Sequence, residues 1–482
     1  MKLKNEKLLT GDAYINGKWY EGESRFAVNN PANGEEIAQV AACSPNDTTK
    51  AIDAAYEAFP EWAKMTGKER GKVLRKWHDL ILDNQEDLAQ ILTAEQGKPL
   101  KESRGEIGYG ASFVEWYAEE AKRTYGDIIP HTNEGQRIFV QKQPIGVCAL
   151  ITPWNFPNAM ITRKAAPALA AGCTVVIKPG EDTPLSATAL AVLAEEAGIP
   201  KGVFNVVPTN EAADIGKAMC EDDRVRKLSF TGSTEVGRIL MKQCADTVKK
   251  VSFELGGNAP FIVFDDADID EAVQGAIACK FRNAGQTCVC ANRIYVQKGV
   301  YEIFADKFAE EVEKLKVGHG DEDGVDIGPL INEPAIEKVK DHIENAKKHG
   351  AGVMVGGKEH DLGGTFFEPT VLRDMDDEMK IATEETFGPV APLFKFTDEE
   401  DVITQANDTI YGLASYFYAK DMSRVWRTAE ALEYGMVAVN TPILSTEVAP
   451  FGGIKQSGIG REGSRYGIDE FMEMKYILLS GI

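Results

Sequence analysis

The sequence predicts a parallel α/β fold of the doubly wound type. From about Ile145 onward, strand-like and helix-like stretches alternate, as in strand–helix–strand units. The clearest unit is an apolar strand over Thr174–Lys178, followed by a helix that opens at Thr183, runs through Glu196 and stops at Gly198. The next stretches repeat this order as a strand over 203–207, a helix over 211–220 and a strand over 227–230. Folds of this kind bind nucleotides at the carboxyl ends of their strands.

Composition and charge limit what the chain binds. Its 482 residues suggest about three domain-sized units. Hydrophobic residues make up 43% and charged residues 27%, as in ordinary globular proteins. With 53 Lys and Arg against 75 Asp and Glu, the formal charge of -22 opposes binding to nucleic acid and to anionic membranes. The first residues hold no sustained apolar segment, so we expect a cytoplasmic enzyme.

The cysteines and histidines form no recognisable metal or disulfide pattern. The eight cysteines are scattered through a long chain, and none of the six histidines lies at a ligand spacing from another His or Cys. We therefore expect mostly reduced, buried thiols and no metal.

A β-hairpin is predicted before the α/β region. The segments Tyr125–Ile129 and Gln136–Gln141 are strand-like and flank the turn residues Thr132–Gly135. A further strand-like segment, Met474–Leu479, lies near the end of the sequence. Because exposed strand edges usually need covering, we expect these segments to act as arms through which copies of the chain associate. The alternative is that they pair within one chain.

The first candidate site is Phe281–Cys290, where a helix that starts near Asp268 gives way to a Gly-containing loop. A cysteine in such a loop can face a cleft, which makes Cys288 the candidate nucleophile. A free thiol has a pKa of about 8.5, so the fold must stabilise the reactive thiolate. By local composition alone, a cysteine here is more often structural than catalytic.

Two further polar residues are candidates for catalysis. Glu254 ends an apolar strand and precedes two glycines, and a buried Glu can act as a general base. Asn155 lies in a loop between two prolines and can donate a hydrogen bond to an oxyanion. Taken singly, the Glu is more simply a carboxylate satisfied by backbone donors, and the Asn is a turn former.

Two glycine-containing segments lie where α/β sheets bind ligands. Lys178–Glu181 follows one predicted strand, and Gly232–Gly237 forms the next strand-to-helix turn. The glycine spacing differs from the usual dinucleotide fingerprint. As a generic motif it is weak, and capping of a helix is the simpler explanation.

In this order, the four motifs resemble those of the aldehyde dehydrogenase superfamily, and the similarity runs from about Tyr14 to Tyr476. The resemblance implies a Rossmann-type NAD-binding domain, an α/β catalytic domain and a β-hairpin oligomerisation arm. The expected boundaries are 1–121 and 145–256 for the NAD-binding domain, 257–459 for the catalytic domain, and 122–144 and 460–482 for the arm. A homodimer or homotetramer is expected.

The resemblance also implies residue roles. Cys288 would attack the aldehyde, Asn155 and the Cys288 backbone amide would hold the oxyanion, and Glu254 would activate the water that hydrolyses the thioester. The expected cofactor contacts are Lys178 and Glu181 at the adenosine ribose, Gly232 and Ser233 at the pyrophosphate, Glu385 at the nicotinamide ribose, and Trp154 and Leu255 along the site. Glu181 can accept from a ribose 2′-hydroxyl but would repel a 2′-phosphate, which favours NAD, with NADP as the alternative.

Within the superfamily, the sequence most resembles succinate-semialdehyde dehydrogenases. The shared segments are Ile161–Lys164, Phe281–Cys290 and Pro450–Gly458. The resemblance implies that Arg163, Arg282 and Ser445 bind the substrate carboxylate. Charge-assisted hydrogen bonds of about 1.5–3 kcal/mol each would favour a carboxylated aldehyde. The alternative is that both arginines make internal ion pairs.

Two features leave the substrate and the regulation open. Pro442 stands in the loop that carries Ser445, where glycine is expected, and proline restricts the backbone. Glutarate semialdehyde, or another ω-carboxy or aliphatic aldehyde, is therefore the alternative substrate. Cys290 lies two residues from Cys288 and is either the partner in a regulatory disulfide or merely structural.

Three other classes of protein share parts of this pattern. A Cys-dependent hydrolase would leave the nucleotide motifs unexplained. A structural protein on the same scaffold would not need Cys288, Glu254 and Asn155 together, and a relative that forms acyl-CoA would not need a water-activating Glu254.

Overall fold

In the computed structural model, which describes residues 1–481, two large sheets organise the chain. In spatial order, the first sheet consists of Gly458–Ile459 (β19), Lys250–Glu254 (β11), Val225–Thr231 (β10), Val147–Ile151 (β7), Thr174–Lys178 (β8), Phe204–Val206 (β9), Ala13–Ile15 (β1) and Lys18–Tyr20 (β2). The strands from β11 to β9 run parallel, and short antiparallel strands cover both edges. The predicted doubly wound α/β fold is confirmed.

The second sheet is formed by residues between 259 and 439. In spatial order, its strands are Gly352–Val355 (β14), Thr370–Met375 (β15), Val390–Phe396 (β16), Ala291–Gln297 (β13), Ala259–Val263 (β12), Ala414–Tyr418 (β17) and Met436–Val439 (β18). Apart from β14, which pairs antiparallel with β15, these strands run parallel. The central strands are almost entirely buried, as expected of a parallel sheet covered on both faces.

A three-stranded antiparallel sheet stands apart from the two large ones. Its strands are Asp127–Pro130 (β5), Gln136–Pro144 (β6) and Met472–Ser480 (β20), with β6 in the centre. The predicted hairpin is present, and the C-terminal strand pairs with it along its whole length, from Met472 opposite Pro144 to Ser480 opposite Gln136. The C-terminal strand thus has a partner within its own chain, and association of copies stays a prediction. A separate pair is formed by Arg25–Asn29 (β3) and Glu36–Ala41 (β4).

Helices cover the faces of the large sheets. They are Pro45–Lys64 (α1), Gly67–Asp83 (α2), Gln85–Gln96 (α3), Leu100–Glu120 (α4), Ala159–Ala171 (α5), Leu185–Ala197 (α6), Ala212–Glu221 (α7), Thr234–Ala245 (α8), Ile269–Lys280 (α9), Tyr301–Val312 (α10), Glu333–Lys348 (α11), Lys380–Thr383 (α12), Glu399–Asn407 (α13), Met422–Ala431 (α14) and Ser464–Asp469 (α15). Their ends follow local signals: Asp268 caps α9, and Gly198 ends α6 in the left-handed region with φ 89°. In residues 1–481, no helix is long and apolar enough to cross a membrane.

The sheet memberships can be compared with the expected domain boundaries. Residues 259–439 share the second sheet, whereas β19 at 458–459 returns to the first. In the segment expected to belong to the arm, α15 packs on α4 and α5, and only β20 joins the hairpin. The domain boundaries stay predictions.

Candidate active site

A cavity of about 650 Å³ lies where the carboxyl ends of the first sheet's strands face loops of the second sheet. Ten of the predicted site residues line it: Trp154, Asn155, Arg163, Gly232, Ser233, Leu255, Arg282, Cys288, Glu385 and Ser445. Residues from both large sheets therefore meet in one place. Lys178, Glu181 and Glu254 are not among the lining residues.

Cys288 follows a strained turn after α9. Asn283 and Ala284 both have positive φ, 51° and 54°, which non-glycine residues rarely adopt. On the other side, Gly257 follows β11, and a Cβ there would lie 2.5 Å from the Cys288 carbonyl oxygen. Only glycine allows this close approach. The two loops together hold the thiol in the cavity wall.

The electrostatic environment keeps the Cys288 thiol protonated. Burial, together with the charge of Glu385, raises the pKa of Cys288 to about 12. In the structure the thiol is therefore in its unreactive form at neutral pH, and it must lose its proton to become a nucleophile.

Asn155 is fixed by hydrogen bonds on both its main chain and its side chain. Its carbonyl oxygen accepts from the Lys98 ammonium at 2.7 Å and from Asn283 Nδ2 at 3.1 Å. Its own Nδ2 donates to the Gln286 carbonyl at 2.9 Å. Because an amide nitrogen carries two hydrogens, one donor of Asn155 stays available.

Lys98 is a site residue that the sequence did not reveal. Its side chain is fully buried, and its ammonium also pairs with Glu106 at 2.7 Å. Glu106 in turn accepts from the backbone amides of Asn158 and Ala159, at the start of α5. The Lys98–Glu106 ion pair therefore connects the loop of Asn155 to α4. Because Lys98 and Asn155 are far apart in sequence, no local sequence pattern indicates the contact.

Glu254 ends β11 and is buried, with 3% of its surface exposed. Its Oε2 atom has no hydrogen-bond partner within residues 1–481. Burial and the charge of Glu462 raise the pKa of Glu254 well above its ordinary value. A buried carboxyl group whose Oε2 atom has no hydrogen-bond donor has the properties of a general base with an elevated pKa.

Arg163 pairs with a carboxylate of the protein. Its guanidinium lies 2.6 Å from Glu462 Oε2, and the same carboxylate bonds to the Lys164 ammonium. Burial opposes ionisation of Glu462, but Lys164 and Arg163 together lower its pKa to about 2. For Arg163 the structure therefore shows the internal ion pair that was the alternative to a substrate contact. Glu462 is 299 residues away in sequence and had no local signal.

Arg282 lies differently. Within residues 1–481 it makes no ion pair, and its guanidinium lies 5.6 Å from the centroid of the Phe156 ring. Ser445 lines the same cavity. Tyr109, which the sequence did not reveal, also lines it, and its hydroxyl oxygen accepts from Arg163 Nη1 at 3.4 Å.

Apart from Glu385, which precedes β16 of the second sheet, the residues expected to contact a dinucleotide lie along the carboxyl edge of the first sheet. Lys178 Nζ and Glu181 Oε2 are 2.9 Å apart after β8. Gly232 and Ser233 follow β10, and the Ser233 hydroxyl accepts from Val236 N–H at the start of α8. Lys178 and Glu181 are thus two strands away from this turn. An extended ligand along the strand ends would reach both.

Two observations indicate that this edge fits a polar ligand. Thr231 lines the cavity, and its hydroxyl is buried without a hydrogen-bond partner in the described chain. Glu385 Oε1 accepts from Gly257 N–H at 3.1 Å, and burial raises the pKa of Glu385 to about 7. The Trp154 ring packs edge-on against Phe387 with centroids 5.6 Å apart. The Thr231 hydroxyl and the Glu385 carboxyl group match the ribose hydroxyls of a dinucleotide.

The model of the aldehyde dehydrogenase family matches residues 19–477. The chain therefore belongs to the aldehyde dehydrogenase family. It is 60% identical over 481 residues to succinate-semialdehyde dehydrogenase [NADP(+)] of Escherichia coli (strain K12), covering 99% of this chain and 100% of the relative. It is 59% identical over 484 residues to glutarate-semialdehyde dehydrogenase of Pseudomonas aeruginosa, with 100% of both chains covered.

A solved structure has the same fold. The crystal structure of succinate-semialdehyde dehydrogenase from Burkholderia pseudomallei matches with a TM-score of 0.99 and 57% sequence identity, and 100% of each chain is covered. The predicted family and fold are thus confirmed.

In this aldehyde dehydrogenase, the Cys290 thiol has a hydrogen-bond partner of its own. Cys290 is buried, and its thiol donates to the Gly285 carbonyl at 3.2 Å. A disulfide between the two residues would first have to break this contact. The regulatory disulfide stays a prediction.

Proposed function

We propose that this aldehyde dehydrogenase oxidises succinic semialdehyde to succinate with a nicotinamide dinucleotide, and that Cys288 is its nucleophile. The main support for this proposal is the cavity. It combines the Cys288 thiol, the Asn155 amide donor and Arg282, which has no ion pair in the described chain. In a short aldehyde with a carboxylate at its far end, the aldehyde group could contact Cys288 and Asn155 while the carboxylate contacts Arg282. The names of the relatives from Escherichia coli and Burkholderia pseudomallei support this assignment.

The first step forms a bond between Cys288 Sγ and the aldehyde carbon. The thiol proton passes to water, and the π bond of the aldehyde carbonyl opens towards its oxygen. Negative charge then develops on the aldehyde oxygen. The free hydrogen of Asn155 Nδ2 and the Cys288 backbone N–H, which donates to no acceptor within residues 1–481, would stabilise this charge. Because both donors are already fixed, little reorganisation is needed.

The cofactor is proposed to lie along the first sheet's edge, held by Lys178, Glu181, Gly232, Ser233 and Glu385, with Trp154 and Leu255 along its path. When bound, a nicotinamide dinucleotide supplies a hydride acceptor. The protein's contribution is orientation: the helix start at Ser233 favours phosphate, and Glu385 accepts hydroxyl donors.

Hydrolysis of the resulting thioester is proposed to use Glu254. The base takes a proton from water, the water oxygen attacks the acyl carbon, and the carbon–sulfur bond breaks to release Cys288. The carboxylate Oε2 of Glu254 has no competing donor in the described chain. A raised pKa also makes it a stronger base than an ordinary carboxylate.

We propose NAD as the preferred form of the cofactor. Burial disfavours ionisation of Glu181, but Lys178 more than compensates and lowers its pKa, so the carboxylate is charged at neutral pH. A 2′-phosphate would meet this charge. The Escherichia coli relative carries NADP(+) in its name, so this preference needs its own assay.

Association of copies through the three-stranded sheet, as a homodimer or homotetramer, is also proposed. Large apolar side chains there are exposed, among them Ile128 at 72% and Met474 at 76%. Exposed apolar patches of this kind favour association. The cytoplasmic location stays an expectation from the sequence.

The assay that tests the function measures cofactor reduction by purified protein with succinic semialdehyde, glutaric semialdehyde and butyraldehyde, each with NAD and with NADP. We expect a clear preference for the carboxylated substrates, and for NAD. Glutaric semialdehyde is the second candidate because a relative at 59% identity carries that name. Equal use of butyraldehyde would remove the semialdehyde assignment.

A further inference from the structure

Tyr109 projects from α4 into the cavity beside the predicted carboxylate site. Its ring packs edge-on against Phe113, with centroids 5.0 Å apart and planes at 83°. Its hydroxyl oxygen accepts from Arg163 Nη1 at 3.4 Å. Ser445, which lines the same cavity, also acts on this hydroxyl as a hydrogen-bond partner. The ring is therefore fixed by packing, and its hydroxyl lies at the cavity wall beside Arg163 and Ser445.

The two arginines near Tyr109 differ in whether a carboxylate of the protein neutralises their charge. Glu462 neutralises Arg163 through contacts of 2.6 Å, and the same carboxylate also bonds to Lys164. Arg282 has no ion pair within residues 1–481. The Glu102 carboxyl group, on which the charge of Arg282 acts, accepts from Asn283 N–H at 2.9 Å, and burial raises its pKa despite Lys98 and Arg282. Of the two arginines, Arg282 is thus the one whose charge is left to attract an anion.

Tyr109 stays protonated under ordinary conditions. Burial raises its pKa, although Arg163, Arg282 and Ser445 act in the opposite direction. A protonated phenol whose oxygen already accepts one hydrogen bond can donate its own hydrogen to a nearby anion.

We infer that the Tyr109 hydroxyl is a specificity-determining donor to the substrate carboxylate, alongside Arg282 and Ser445. Arg163 is then a positioning residue, which holds the Tyr109 oxygen while its charge is neutralised by Glu462. This inference rests on the proposed function, because it concerns the carboxylate end of the same substrate.

The test compares Tyr109→Phe with the wild type in full-length protein. This change removes the hydroxyl and keeps the ring that packs on Phe113. We expect KM for succinic semialdehyde to rise about tenfold, as for loss of a hydrogen bond to a charged group, with KM for butyraldehyde unchanged. The inhibition constant of succinate, which requires no turnover, is expected to rise by a similar factor.

Tyr117→Phe is the matched control. Tyr117 is a buried tyrosine on the same helix, it does not line the cavity, and its hydroxyl has no hydrogen-bond partner in the described chain. Its variant should leave both KM values and the succinate inhibition constant unchanged.

The outcomes separate the inference from the proposed function. If the wild type itself uses butyraldehyde as well as the semialdehyde, the proposed function fails and the inference fails with it. If the wild type discriminates but Tyr109→Phe leaves KM for the semialdehyde unchanged, only the inference is overturned. Equal losses with both aldehydes would also overturn it, because they would mean a structural role.

Discussion

Two buried glutamates beside the cavity have opposite protonation behaviour. Glu254 at the end of β11 and Glu462 after β19 are 3% and 6% exposed. The pKa of Glu254 is raised well above its ordinary value, whereas that of Glu462 is lowered to about 2. Similar burial thus accompanies opposite shifts.

The difference comes from their partners. Glu462 bonds to two cations, Lys164 and Arg163, while Glu254 Oε2 has no partner within residues 1–481. Desolvation raises the pKa of either carboxyl group, and for Glu462 the charges and hydrogen bonds of Lys164 and Arg163 reverse that shift. The comparison indicates a division of roles: an unpartnered carboxylate can exchange protons, and a paired one fixes structure.

The largest expected effect is on catalysis by Glu254→Gln. General bases contribute about 10²- to 10⁴-fold, so we expect kcat to fall by that factor. The acyl group should then remain on Cys288, which intact-mass measurement after mixing with substrate and cofactor would detect. Stability should change little, because no ion pair is lost. A variant that turns over normally would exclude Glu254 as the base.

Glu462→Gln should have its main effect on stability. Removing one partner of a buried ion pair costs about 3–5 kcal/mol, here because Lys164 and Arg163 would stay charged without their partner. Urea unfolding at neutral pH measures this loss. If the free energy of unfolding matched the wild type, the proposed structural role of the pair would be wrong.

The same variant gives a prediction for pH. The folded-state pKa of Glu462 is depressed from 4.5 to about 2, so its stabilisation is complete above pH 4.5 and is lost as the pH falls towards about 2. The stability difference between wild type and Glu462→Gln should therefore shrink over this range. A constant difference would contradict the assigned pKa shift.

A third carboxylate, Glu385, allows a smaller and sharper test. It has one backbone donor, and its pKa is raised to about 7. His342 contacts both neighbours of Glu385 in sequence, with Nε2 3.2 Å from Glu384 and Nδ1 3.2 Å from Thr386. His342 therefore positions the segment without touching the cavity.

For His342→Gln we expect the Kd for the dinucleotide, measured by calorimetry, to rise about fivefold, as for loss of one or two ordinary hydrogen bonds. His349→Gln, at the exposed end of α11, is the control and should leave the Kd unchanged. An unchanged Kd in both variants would show that Glu385 does not depend on this support.

Much of the fold could be predicted because its signals are local. The strand Thr174–Lys178 has the predicted bounds, and the helix predicted over 211–220 is found at Ala212–Glu221. Apolar runs and caps act over a few residues, so one sequence is sufficient to read them. The order of the motifs along the chain likewise identified the site residues, and most of them line one cavity.

The remainder depended on contacts between distant segments. The sequence left open an internal ion pair of Arg163 but did not identify Glu462 as its partner. It also left open whether the C-terminal strand pairs within its own chain, as Met472–Ser480 does with Gln136–Pro144. Tyr109 was missed for the same reason. Its α-helical position looks like core packing until the cavity that it lines is known.

The protonated state of Cys288 also affects how the protein withstands its chemical surroundings. Peroxide and alkylating agents react with thiolates and far more slowly with thiols. Because burial raises the pKa of Cys288, we expect its thiol to react slowly with such reagents in the protein without bound ligands. Burial would then limit chemical damage to this thiol between encounters with an aldehyde.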